Sequence, residues 1–594
     1  MARMKVCTLV IGAVTVLCLP LTAHTAADPT KVLRISSHDI ASLDPQQGTD
    51  LYSTRVASAI FEALYQFDYL AEPAKVISNT AEALPVITEG GKTWTIKLSH
   101  GILFADAPAF KGKPRELVAE DYVYSIKRSI DPHLLTGGDP ALTDLIEGAR
   151  PIVDAARKPG AKFNYDAPIS GLRALDRYTL QIRMTSVDYT LLERLAGLPA
   201  MAVVREVVEA AGEDIRSQPV GTGPYQMMEW KRASRVVLKA NPNYRGTRFP
   251  ESSDPQHRAL VESMRGKTLP QIGRVEISII EESQPNLLAF ERGDLDYVLL
   301  GGNDVHSVLA GDKLKPELLR KGVARMRYGA PNVTFTYFNL KDPTVGGYSN
   351  AQIALRRAIA MGFNVDELIK VLYAGQALPA NQLLPPGVDG HDPSLSSKSL
   401  YDPAAARALL DRFGFKDRDG YRETPEGKPL TLLRGTLPES WYREVDTLWK
   451  KNMDAIGIRM QVEQKTFTEL VNMSRAGKLQ MFNLGYRSLE PSGYQILQTL
   501  WSRSPIDTNP SQFSNPDYDA TYEQFLRTPS GPSRVALARK MSDVSQVYIP
   551  MLLHTFGIGN TLLYPWVQGY WPSQFGFALK YLDLDVAKRK AAGK

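Results

Sequence analysis

Gly91-Lys92-Thr93 has the closing residues of a loop that grips phosphate, where glycine N–H groups cradle the anion and a lysine reaches its oxygens. That chemistry needs a glycine five positions before Gly91, and Val86 stands there. The triplet therefore reads as a turn before a strand. Gly221-Thr222-Gly223 begins a dinucleotide fingerprint, but Gln226 occupies the place of the third glycine and Pro224 follows directly, so this too reads as a structural turn. The eight histidines are scattered, with no two separated by three or four residues and no cysteine beside them, which argues against a structural metal site. A Gly-x-Ser-x-Gly nucleophile elbow is missing, and no arrangement of the carboxylates singles out an acid/base pair. The residue types thus point away from covalent, metal or phosphoryl chemistry, and they imply no cofactor.

Behind those residues stand elements that must position something else. Arg3 and Lys5 precede an apolar run from Val6 to Leu19, and small residues end at Ala26 and Ala27. This order is that of a secretory leader, read here as residues 1–27 with cleavage after Ala27. The run is too short for the ~20 residues a membrane-spanning helix needs. Leu17 precedes Cys18, where a lipid-anchored protein would carry a small residue. Both cysteines, Cys7 and Cys18, fall within the leader, so the exported chain must be stabilised by burial alone, without disulfides. Removing Arg3 and Lys5 lowers the net charge from +6 to +4, which gives a nucleic-acid role no support. The basic end from Lys588 to Lys594 reads as a solvated terminus.

Taking 27 residues from 594 leaves far more chain than the ~250 to 300 residues at which one core stops growing, so two or three domains are expected. No repeat or low-complexity stretch is present. β-rich runs at Lys31–Ser36, Thr93–Leu98, Thr179–Met184, Arg235–Lys239, Arg274–Ile280 and Ile458–Val462 alternate with helical patterns, which predicts an α/β protein. Helices are predicted over Ala119–Ile130, over Ala351–Met361 capped by Asn350, and from Asn364 through Leu372. Two segments, Ala149–Tyr165 and Arg248–Gln271, read as inserted surface excursions.

A series of motifs runs in order along the chain: Ser42-Leu43-Asp44-Pro45, Ile60-Phe61-Glu62-Ala63-Leu64, Thr93-Trp94-Thr95-Ile96-Lys97-Leu98 with Gly101-Ile102-Leu103-Phe104, and Ala119-Glu120-Asp121-Tyr122-Val123-Tyr124-Ser125. Pro219-Val220-Gly221-Thr222-Gly223-Pro224-Tyr225, Asn241-Pro242-Asn243-Tyr244 and Gly293-Asp294-Leu295-Asp296 follow, then Asn339, Leu355-Arg356-Arg357-Ala358 and Tyr401-Asp402-Pro403. Together they resemble the family 5 extracellular solute-binding proteins of ABC transporters, the group that includes oligopeptide- and dipeptide-binding proteins. Val118 departs from the hydroxyl residue that such proteins use to cap the following helix.

The resemblance implies a two-lobed periplasmic binding protein fold of three domains, of the large type II or cluster C kind, with a discontinuous first domain, a hinge and a central ligand cleft. The first domain is expected at 28–50, 200–333 and 550–594, the second at 51–199 and the third at 334–549. It also implies a periplasmic monomer that is not an enzyme, captures a peptide or other small solute, and delivers it to the permease subunits of an importer. In peptide-binding members the bound backbone adds as a strand to protein backbone. The matching segments carry Asp39 and Ile40 before Ser42, and Gly485, Tyr486, Arg487 and Ser488 after Met481-Phe482, with Phe467 near another cleft aromatic. Peptide binders place an aspartate shortly after the aromatic to meet the peptide ammonium. This chain has Arg487-Ser488-Leu489-Glu490-Pro491 instead, leaving Glu490 or Asp39 as the available carboxylates, while Arg487 suits a ligand carboxylate. Non-peptide solutes of the same fold (an opine, a sugar, a metal chelate, haem), a secreted hydrolase and a periplasmic chaperone are the competing readings.

Overall fold

The computed structural model describes residues 27–594 except 49, 301–304, 312, 396–399, 489 and 507. The leader thus lies outside the described residues apart from Ala27. No helix among those described is long and apolar enough to cross a membrane.

Each expected strand is present within a few residues. Asp28–Ser37 pairs in parallel with Ile272–Ile279, which continues antiparallel to Arg235–Ala240 and then Tyr225–Lys231. Val86–Thr88, Thr93–Lys97, Thr179–Arg183 and Leu172–Asp176 form a second four-stranded sheet, wholly antiparallel. A third sheet of seven strands is built on two long ones, Ala324–Phe338 of 15 residues and Met551–Leu563 of 13.

Those two strands join two bodies. The first hydrophobic core draws on residues from Leu33 to Val323, then resumes at Leu562 and runs to Leu584. Two further cores fill the other body, drawn almost wholly from residues between Val333 and Phe556. Among the described residues the two long strands pass between the bodies, and their pairing slips where they cross: Gly329 faces Ile558, whereas the next pair is Val333 with Phe556. A register shift leaves residues without ladder partners and lets the strand bend there.

Local chemistry explains the helix ends. Ala119–Ser129 starts after Val118, whose side chain has no acceptor, and the Asp121 carboxylate takes the Val118 N–H at 2.9 Å instead. Ser349, rather than the expected Asn350, caps Asn350–Gly362, because its hydroxyl and the Gln352 amide form a reciprocal capping box. Asn364 caps the following turn as expected, accepting from the Glu367 N–H at 2.9 Å.

Three sequence readings need correction. Ala149–Tyr165 is not a surface excursion, since Ala149–Ala156 is a helix that buries Val153 and Tyr165 donates to Asp131 at 2.5 Å. Arg248–Gln271 is likewise packed, contributing Phe249, Val261, Met264 and Leu269 to a small core with Tyr69 and Tyr581. Polar composition concealed both, because the large apolar residues they contain, among them Val153, Phe163, Phe249 and Met264, point inward. The basic terminus is tied down as well. Arg589 is buried, donates to the Val32 carbonyl at 2.7 Å and lies 3.4 Å from Asp296.

Candidate ligand-binding site

The Gly221-Thr222-Gly223 turn crosses the end of helix Leu51–Ile60 at closest range. A Cβ on Gly221 would sit 2.1 Å from the Ile60 carbonyl oxygen, and one on Gly223 would sit 2.6 Å from it. Glycine is required here for approach, and the turn sets Thr222 against Glu62, its hydroxyl donating at 3.0 Å. Arg245 donates to the same carboxylate oxygen at 2.6 Å, while the other oxygen, Oε1, is buried without a partner.

Glu62 lines a cavity of about 230 Å³ in the seam between the two bodies. Arg55, Asp139 and Arg194 line it from the first body and Glu490 and Tyr494 from the second, and Lys580 closes one end. The bodies touch around it: the Tyr189 N–H donates to the Leu526 carbonyl at 3.0 Å, and the Arg194 guanidinium lies 4.0 Å from the centre of the Tyr494 ring. Phe67 and Phe575 reach from the first body into the second core, their rings 6.0 Å apart.

Burial raises the Glu490 pKa to about 7 against the pull of Arg194 and a Tyr494 hydrogen bond. Glu193 is pushed to about 7 by the same cause, opposed by Arg534, and its Oε2 is buried without a partner. For Arg194, desolvation works against the charge, but Tyr494, Asp139 and Asp188 more than offset it and hold its pKa above the usual value. Burial depresses Lys580 to about 8, where its ammonium donates to Gln66 Oε1 at 2.6 Å. Of the acids that line the cavity, Glu490 is thus the one that burial biases toward its neutral form.

A smaller recess of about 70 Å³ adjoins it, lined by Arg55, Tyr297, Tyr328, Arg487, Ser488 and Tyr570 among others. Arg487 closes the strand Met481–Arg487, and Ser488 is held by its N–H on the Pro331 carbonyl at 2.8 Å and its hydroxyl on the Glu490 carbonyl at 2.5 Å. That strand pairs along all seven residues with Ala324–Phe338, but its other side meets Thr431–Thr436 only at Met481 and Phe482. The far edge of Asn483–Arg487 therefore carries no strand among the described residues, and Gly485 on it is exposed.

Of the residues chosen from sequence, Arg487 and Ser488 line the recess and Glu490 lines the larger cavity. Gly485 and Tyr486 lie on the same strand, with Tyr486 half-buried against the second core. Asp39, Ile40 and Phe467 do not line either cavity. Ile40 is fully buried in the first core, Asp39 is exposed with its N–H on Glu281, and Phe467 is exposed at the start of its helix. Sequence reasoning missed Arg55, Glu62, Arg194 and Lys580. A charged residue inside an apolar run, as in Phe61-Glu62-Ala63 or Glu193-Arg194-Leu195, is the signal that could have found two of them.

Two bodies joined by two strands, with a charged cavity in the seam, define a hinged solute-binding protein. The chain belongs to the bacterial extracellular solute-binding proteins of family 5, whose middle-region model matches residues 75–508. It is 25% identical to the Di/tripeptide-binding protein 2 of Pseudomonas aeruginosa, over 82% of this chain and 85% of that one. It is 23% identical to the periplasmic oligopeptide-binding protein OppA of Escherichia coli, over 92% and 90%. Among solved structures, the periplasmic binding protein DppA of Helicobacter pylori in complex with the peptide STSA matches with a TM-score of 0.69 and 19% identity, covering 93% of this chain and 98% of that one.

Proposed function

We propose that the protein is the periplasmic, non-enzymatic binding component of an ABC importer, a monomer that encloses a short peptide between its lobes and presents it to the membrane permease. The observation that carries the peptide reading is the free edge of Asn483–Arg487 beside the two cavities. An extended peptide can add there as a strand through main-chain hydrogen bonds, with Gly485, Tyr486, Arg487 and Ser488 in contact and its side chains in the cavities. Glu490 then meets the peptide ammonium from its place in the larger cavity. The relatives named for di-, tri- and oligopeptides support the same reading. Exposed placement leaves Asp39 a minor partner at most.

The separate cores support setting a third domain of 334–549 apart from the rest, with the hinge in the crossing strands, while the division of the first body into a first domain of 28–50, 200–333 and 550–594 and a second of 51–199 is carried by the family resemblance, since one continuous core spans both. Calorimetric titration with trialanine and with its backbone N-methylated analogue tests the proposal. Trialanine should bind and the analogue should bind far more weakly. Equal binding would remove the added strand, and no binding by any di- to pentapeptide would remove the peptide. Mass spectrometry of molecules released on denaturation would then identify a solute of another kind.

A further inference from the structure

Arg55 and Arg487 project into the same small recess from different bodies. Arg55 belongs to helix Leu51–Ile60, which packs in the first core, and Arg487 ends a strand whose Phe482 packs in the second. Neither guanidinium has a hydrogen-bond or ion-pair partner among the described residues, and no aspartate or glutamate lines the recess. Two acids that act on the neighbouring Tyr52 are occupied elsewhere. Asp50 accepts from the N–H and hydroxyl of Ser53, and Glu281 holds His38 and the Asp39 N–H. Tyr297, Tyr328 and Tyr570, with Ser488, Ser573 and Gln574, form a neutral polar wall. Burial foremost, and the charge of Arg55 as well, lower the Arg487 pKa, while Tyr328 and Tyr52 raise it.

Two like charges brought together in a half-buried recess repel, and low local dielectric strengthens the repulsion. A planar anion between two guanidinium forks reverses its sign, because each fork presents paired donors to carboxylate-type oxygens. We propose that Arg55 and Arg487 form an anion latch: their repulsion holds the empty lobes apart, and a carboxylate or similar oxyanion on the ligand bridges them and locks the lobes shut. The latch deepens the peptide reading and rests on it for the ligand, since a free C-terminus or acidic side chain would supply the anion. The repulsion between empty lobes does not depend on what the ligand is.

Small-angle scattering at low salt on the ligand-free protein tests the repulsion. The double variant R55Q/R487Q should be more compact than wild type, and raising the salt should shrink wild type toward the variant, since exposed charges are screened beyond ~10 Å at 0.1 M. Equal dimensions under all these conditions overturn the latch. Titration tests the anion: trialanine should bind wild type at least about 30-fold more tightly than trialanine amide, the scale set by leaving a buried charge unpaired. In R487Q the two should bind alike. Amide binding as tight as acid binding to wild type overturns the latch and leaves the peptide reading intact. If no peptide binds but citrate or inorganic phosphate compacts wild type and not R55Q/R487Q, the peptide reading fails and the latch stands.

Discussion

Glu490 is held neutral by its surroundings more than by its own chemistry, and this has a measurable sign. Its folded pKa, raised by burial to about 7, lies above the ordinary carboxyl value near 4.5. The folded protein therefore binds a proton that the unfolded chain has lost between those values, so this group's contribution to stability falls as pH rises from about 4.5 through 7. The charges facing it are Arg194, Asp139 and Asp188, with Tyr494 as a hydrogen-bond donor. A Glu490→Gln variant should match wild type near pH 5 and be more stable by roughly 2 kcal/mol at pH 8 in the absence of ligand. Urea denaturation at both pH values, taken as the difference between the two proteins so that other groups cancel, checks this. A difference independent of pH would contradict the assignment. The same variant should bind trialanine more weakly and leave the binding of N-acetyl-trialanine unaltered, which separates a lost ammonium partner from a general disturbance of the cavity. At this scale the sequence was only partly legible. Arg487, Ser488 and Glu490 lie in one short segment after Met481-Phe482, and the family resemblance of that segment pointed to them. Arg55 and Glu62 are near neighbours in the chain, but Arg194 and Lys580 reach the same seam from segments far along it, and no local spacing connects them to that pair.

Elements show the opposite balance. Strand alternation and cap chemistry are local, so Thr93–Lys97, Thr179–Arg183 and Ala119–Ser129 were readable to within a residue or two of their ends. The misread segments, Ala149–Tyr165 and Arg248–Gln271, were judged by composition, whereas their burial depends on partners such as Asp131, Tyr69 and Tyr581 that lie far away in the chain. Two substitutions probe how the elements are held. Val118→Ser supplies the missing acceptor at the start of Ala119–Ser129 and should stabilise the protein by about 1 kcal/mol, the usual worth of an N-cap hydroxyl. Thermal unfolding should show the higher midpoint, and a lower one would mean that the Asp121 bond already satisfies this helix end. Gly221→Ala forces a methyl against the Ile60 carbonyl and should cost about 1 to 3 kcal/mol by the same measurement. An unchanged midpoint would show that the turn can move away from the helix.

On the scale of the whole molecule, the proposed hinge lies where the pairing of Ala324–Phe338 with Met551–Leu563 slips between the bodies. A ligand that touches both lobes binds the closed form more tightly and shifts the population toward it. Moving that equilibrium from 1:99 to 99:1 takes about 5.5 kcal/mol of preference. Micromolar binding supplies about 8 kcal/mol in total, enough to close on a ligand and still release it. Scattering should therefore report a smaller radius of gyration when ligand is saturating, and unchanged dimensions would remove the hinge.

The first core also has a consequence for how the chain is made. It gathers residues from Leu33 to Val323, yet it is finished by Leu562, Tyr564, Trp566 and Leu584, which follow only after the whole of the second body has intervened in the chain. Contacts so distant in sequence form slowly, because the loop between them must be closed before they contribute. The body begun by the N-terminal strands thus cannot be completed until the segment from Leu562 to Leu584 has been made and has returned to it. The return of Met551–Leu563 therefore does two things at once: it supplies one of the two strands that join the bodies, and it brings back the segment that seals the first core.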